Sequence, residues 1–158
     1  MQRPSRWSVP MALPCAVSLV ALGAARPTPS DPLTYTLSAT PGDLNVNRTP
    51  GVEYDERFTL TVTNPSRTAY HVQAPSCELV DVMVIPAGDT IPIWRWSRSQ
   101  AFCQHTVDTT IAAGQSWSTT VTWSFAPLDV PDGTLNVVAV FIPSGARAQT
   151  ALDLTDSD

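Results

Sequence analysis

The chain predicts an all-β fold, an immunoglobulin-like antiparallel β-sandwich, on three observations. No stretch of useful length repeats with helical period. β-Branched and aromatic residues alternate with threonine and serine in short runs, the pattern of half-buried strands. Proline, glycine, asparagine and aspartate punctuate those runs at short intervals and turn the chain. A length of 158 residues suits one domain and cannot fill two substantial cores. About seven to nine such strands favour two packed antiparallel sheets over a closed barrel, because the strands differ in length and one carries a proline.

The first strand reads from Leu33 in LTYTLSAT, and PGDLNVNRTPG is punctuation with room for a short strand. ERFTLTVTN is the clearest strand: Phe58, Leu60 and Val62 share one face, and Thr59, Thr61 and Thr63 the other. Asn64, Pro65 and Ser66 turn the chain. In AYHVQA, Tyr70 and Val72 lie opposite His71 and Gln73. ELVDVMVI and TIPIWRW form a pair joined by the turn 86–89; Pro92 puts the second at an edge or makes its start irregular. A regular strand there would set Trp94 and Trp96 on one face and Arg95 on the other. A short segment around Phe102 precedes DTTIAAGQS, where Gly114 sits in a turn. SWSTTVTWSF aligns Trp117, Thr119, Val121 and Trp123, and TLNVVAVFI aligns Leu135, Val137, Ala139 and Phe141. AQTALDLTDSD adds an edge strand before an acidic tail, 155–158, expected to fray. The tryptophans are the largest expected pieces of the core, and burying such a side chain contributes about 1.5–3 kcal/mol.

Charged residues are only 15% of the chain, the net charge is -5 and the pI about 4.8. No run of lysine or arginine offers a stripe for phosphates, which argues against nucleic acid as a partner. Residues 1–25 read as an export signal: Arg3 and Arg6 lead an apolar stretch that closes on Gly23 and Ala25, placing the signal-peptidase site at Ala25. Retention as an uncleaved anchor competes, but Pro10 and Pro14 interrupt the stretch, and no membrane span is expected after cleavage. Residues 26–32 then form a stiff proline-rich linker, and 33–154 the folded domain. The product is expected to be exported, either extracellular or held in the periplasm or cell envelope. Removing the signal leaves Cys77 and Cys103, and an even count in an oxidising compartment favours one disulfide. By chain entropy it would add roughly 3–4 kcal/mol. With two isolated cysteines and no nearby His–Cys grouping, a zinc site is not expected, nor is any cofactor.

Read together, IWRWSRSQAFCQHT, TIAAGQSWSTTVTW and PDGTLNVVAVFI resemble the intracellular proteinase inhibitor family known as BsuPI. The resemblance falls on Trp94, Arg95, Trp96 and Ser97, on Phe102 and Gln104, and on Gly114, Trp123 and Gly133. FTLTVTNPS adds Phe58, Leu60, Val62 and Asn64, so that the likeness runs roughly over 58–142. It implies an immunoglobulin-like sandwich that blocks a serine endopeptidase, subtilisin-like by class, with no chemistry of its own. Two features depart from the family's pattern: the export signal, and the cysteines in PSC and FCQ. A disulfide joining those two places is what an exported version of the fold would tolerate.

An inhibitor needs a loop that is rigid before it binds, because an ordered loop loses little entropy on docking. Three loops qualify. Residues 97–102 are polar and end beside Cys103; 126–133 carry Leu128 and Val130 for an apolar pocket; 86–90 look like a plain hairpin end. Arg95, Arg98, Ser99, Gln100, Leu128 and Val130 are the candidate protein-binding residues: arginine is enriched at interface hot spots, and Leu128 and Val130 suit an apolar specificity pocket. No catalytic residue is assigned: His71 and His105 fall in no recognisable constellation, although His105, Asp108 and Ser97 can be imagined as a triad. The alternative is a non-inhibitory module, binding protein or serving structure in the bacterial envelope.

Overall fold

A computed structural model describes residues 31–157; the expected signal peptide, its cleavage site at Ala25 and the linker up to Ser30 lie outside them. The described chain is all-β, built from several antiparallel sheets. Its strands are β1 (Thr34–Thr40), β2 (Asp43–Val46), β3 (Tyr54–Thr63), β4 (Tyr70–Ala74), β5 (Val80–Pro86), β6 (Trp94–Arg95), β7 (Val107–Ile111), β8 (Ser116–Phe125), β9 (Gly133–Phe141) and β10 (Ala146–Asp156). One sheet has the order β1-β3-β8, a second β2-β10-β9-β5-β6, and β4 pairs with β7 alone. Every pairing is antiparallel except that of β2 with β10.

Alternation decides which face is dry. Along β3, Glu56, Phe58, Leu60 and Val62 are buried; along β9, Leu135, Val137, Ala139 and Phe141 are. The first two sheets meet face to face through aromatic contacts. Tyr35 of β1 and Trp117 of β8 lie 5.8 and 5.9 Å from Phe141 of β9, while Phe58 of β3 and Trp123 of β8 lie 6.2 and 6.0 Å from Trp94 of β6. Offset and tilted ring pairs at these separations add attraction beyond the area they bury.

Three expectations change. The tryptophans are not the bulk of the interior: Trp123 is buried, but Trp94, Trp96 and Trp117 are half-buried, and phenylalanines and leucines fill the centre. An indole N–H needs a partner, which favours a place at the margin of a dry core. β10 is no edge strand; it lies between β2 and β9. It also continues through Asp156, whose neighbour Ser157 donates its N–H to the Val46 carbonyl at 2.9 Å, so residues 155–157 are paired rather than frayed. Last, β6 is only two residues long. Pro92 has no N–H to give, Ile93 donates to Val84 at 2.9 Å, and a 3-10 turn, Trp96–Ser99, ends the strand. Trp94 and Trp96 therefore part: Trp94 meets Phe58 and Trp123, Trp96 meets Phe102 edge-on at 5.5 Å.

Candidate functional site

Two buried polar groups explain much of the motif pattern. Asp81 on β5 is 1% exposed, accepts a bond from Arg95 Nε, and caps the 3-10 turn by accepting the Ser97 N–H at 3.1 Å. A buried carboxylate needs such a partner, so Arg95 serves the fold, although its side chain is still 42% exposed. Asn64 is fully buried at the other end of the motif. Its amide donates to the carbonyls of Thr68, Ile111 and Ala112, and its oxygen accepts from the N–H and hydroxyl of Ser66. Its backbone carbonyl accepts the Gly114 N–H at 2.8 Å, and Gly114, at φ +68°, makes that close turn. Asn64 and Gly114 thus clamp two turns together.

In the loop 97–102 the structure leaves Arg98, Ser99 and Gln100 exposed. Ser99 donates to the Trp96 carbonyl at 3.1 Å and Gln100 to Ser99 at 3.3 Å. Phe102 folds back on Trp96. Gln104 is exposed and donates to the Phe102 carbonyl, so it is not a core residue. Cys103 is bonded to Cys77, with Cα atoms 5.3 Å apart. His105 places Nε2 3.6 and 3.8 Å from the two sulfurs, which corrects the expectation of no nearby His–Cys grouping: His105 lies two residues from Cys103, and the disulfide brings Cys77 to both. The imagined triad is not assembled: Asp108 meets His71 at 3.0 Å, and His105 faces the disulfide.

The loop 126–133 is held differently. A single 3-10 turn, Pro127–Asp129, is closed by Asp129 N–H donating to Ala126 at 3.0 Å. Pro127 and Val130 are buried, Val130 at 4%, so Val130 is part of the core and not available to a partner. Leu128 between them is 56% exposed. Arg48 reaches in from the segment after β2 and donates to the carbonyls of Pro127 at 2.6 Å and Val130 at 3.1 Å, and it pairs with Asp132 and Asp156. The backbone on both sides of Leu128 is therefore fixed while the side chain points away from the core.

The turn 86–90 is an ordinary one: Asp89 donates to Pro86 at 3.0 Å, and Gly88 supplies φ +86°. Just beyond it, Ile91 is 74% exposed and Ile93 41%. With Leu128, they are the large apolar side chains exposed among the described residues. A cleft of about 290 Å³ lies between these segments, lined by Glu53, Ile93, Trp94, Trp123, Phe125, Asp129 and their neighbours.

This sequence matches the BsuPI family, described as intracellular proteinase inhibitor, over residues 42–144. The chain belongs to that family. The matched segment contains every motif residue on which the resemblance rested and all three loops. Membership also corrects one expectation: the family is described as intracellular, which overturns the exported, extracellular or envelope location read from the N-terminal segment. No curated protein matches the chain. Within the described residues, no helix is long and apolar enough to cross a membrane.

The BsuPI motif residues are mainly structural. Phe58, Leu60, Val62 and Trp123 are core, Trp94 and Trp96 pack against it, Phe102 packs on Trp96, and Gly133 opens β9 at φ +102°. Sequence reasoning missed Asp81, Arg48, Ile91 and Ile93. Asp81 carried a signal, a lone acid within the apolar run LVDVMV. Ile91 and Ile93 looked like members of a strand, and Arg48 acts on carbonyls some eighty residues away, which no local pattern announces.

Proposed function

We propose that this domain inhibits a serine endopeptidase of the subtilisin-like class, and that the end carrying Leu128, Ile91 and Ile93 is its contact surface on an immunoglobulin-like sandwich. One observation carries the reading: an exposed leucine sits on a turn whose flanking carbonyls are held by Arg48. Burying a leucine in a partner's apolar pocket contributes about 1.5–3 kcal/mol, and little is lost to ordering a backbone already fixed. A stable interface needs about 800 Å² from each partner, so the isoleucines and the cleft walls must join the contact.

The shape of the turn supports occlusion rather than substrate mimicry. A scissile segment lies extended in a proteinase cleft, whereas Pro127–Asp129 is coiled in a 3-10 turn. Leu128 would act as a wedge, and the chain should remain uncut. The test is to titrate the domain against a panel of subtilisin-like and trypsin-like enzymes and weigh the recovered inhibitor by mass spectrometry. Stoichiometric loss of activity with an intact chain is expected; undiminished activity across the panel refutes the reading.

A further inference from the structure

We infer that the cleft beside the Leu128 turn receives an arginine or lysine side chain of the bound endopeptidase. This rests on the contact surface proposed above and names what enters it. Two carboxylates line the cleft, Glu53 from the β2–β3 segment and Asp129 from the 3-10 turn. Both residues are exposed, and among the described residues neither side chain takes part in an ion pair or hydrogen bond. The arginine of the neighbouring turn cannot neutralise them, since Arg48 is taken up by Asp132, Asp156 and two carbonyls. Elsewhere the lining is mixed: Trp94 is the half-buried ring, Trp123 and Phe125 are buried, and Ile93, Ser124, Ala126 and Val130 complete it. Trp94 and Trp123 lie 6.0 Å apart, and Phe125 stacks on Trp123 at 4.2 Å.

Ring faces attract a cation through their quadrupole, and tryptophan does so best. An aliphatic stem suits the same walls, because lysine and arginine lay their methylenes on apolar surface while the charged head reaches polar groups. At about 290 Å³ the cleft is at the small end of ligand pockets, fitting one long side chain rather than a cofactor. An anionic or purely apolar group would leave two carboxylates facing it without compensation.

The probe is N-acetyl-arginine N-methylamide, with the lysine analogue and the neutral citrulline analogue alongside, followed through the indole N–H signals of Trp94 and Trp123. Saturable shifts with the arginine or lysine compound, at least fivefold weaker with citrulline and weakened by salt, are expected. The double variant Glu53→Gln, Asp129→Asn should lose that fivefold preference while its other amide signals stay in place. Equal shifts from citrulline, or a preference that survives in the double variant, would overturn the assignment, as would silent indoles at high probe concentration. Enzyme titration separates the two readings. Inhibition without a cation preference removes only the cleft assignment, whereas a cation preference without inhibition keeps the cation site and removes its place in an inhibitor interface.

Discussion

The loops 97–102 and 126–133 are both anchored, yet they differ in what anchoring leaves on view. The first is tied by a covalent bond at Cys103, by Phe102 on Trp96, and by Asp81 beneath Ser97. What it exposes is polar: Arg98, Ser99 and Gln100. The second has no covalent tie, only hydrogen bonds from Arg48, and it exposes Leu128, next in sequence to Asp129 of the cleft that Ile93 also lines. Rigidity is therefore common to both and cannot by itself mark a contact loop. The sign on which the proposal rests is a fixed backbone that holds a large apolar side chain out of the core, because burying that side chain in a partner's pocket is favourable and little is lost to ordering the backbone.

The comparison can be broken at several points. Arg95→Ala strands the buried Asp81 carboxylate under the first loop, and the expected loss is about 3–5 kcal/mol of stability by urea denaturation. Inhibition per folded molecule should stay unchanged, because the proposed contact lies on the other loop. Reducing the Cys77–Cys103 bond with a dithiol should remove roughly 3 kcal/mol, again without altering inhibition by the folded fraction. Leu128→Ala reverses the pattern: stability should stay within about 0.5 kcal/mol, while affinity falls by about 2 kcal/mol, or ~30-fold in the inhibition constant. Arg48→Met frees the second loop. Amide exchange at residues 128–130 should quicken, and affinity should drop by about 1 kcal/mol through the ordering then required.

The smallest effect concerns Glu56, buried inside β3 opposite Trp123 of β8. Burial pushes its carboxyl above the usual glutamate range, against a partial offset from the Gly42 N–H, and its second oxygen has no partner. A carboxyl raised on folding favours the protonated form in the native state. Its contribution is therefore fully present below the ordinary glutamate range and is lost as pH rises through the raised value. Glu56→Gln should melt higher than the parent at pH 8, and the difference should shrink at pH 4 in paired thermal scans.

The fold was largely legible because period-two alternation is a local signal. Phe58, Leu60 and Val62 on β3 and Leu135, Val137, Ala139 and Phe141 on β9 face inward as their spacing required. What failed was non-local. β6 stops after two residues because Pro92 and the Asp81 cap intervene, and the cap is contributed from β5. Val130 looked available because it follows a turn, but that turn tucks it into the core and presents Leu128 instead. The end of the chain looked like a frayed acidic tail because its parallel partner β2 lies about 110 residues earlier. Of the proposed contact surface, Leu128 was a candidate from sequence, while the exposure of Ile91 and Ile93 and the role of Arg48 needed the third dimension.

The most direct measurement is a paired titration of one subtilisin-like endopeptidase, sensitive to the parent domain, with Leu128→Asp and Ser99→Asp. Both positions are exposed, so both variants should fold, and each places one new charge on a different loop. The account predicts that Leu128→Asp loses inhibition at least a hundredfold while Ser99→Asp inhibits like the parent. Equal inhibition by both, or loss confined to Ser99→Asp, would contradict it.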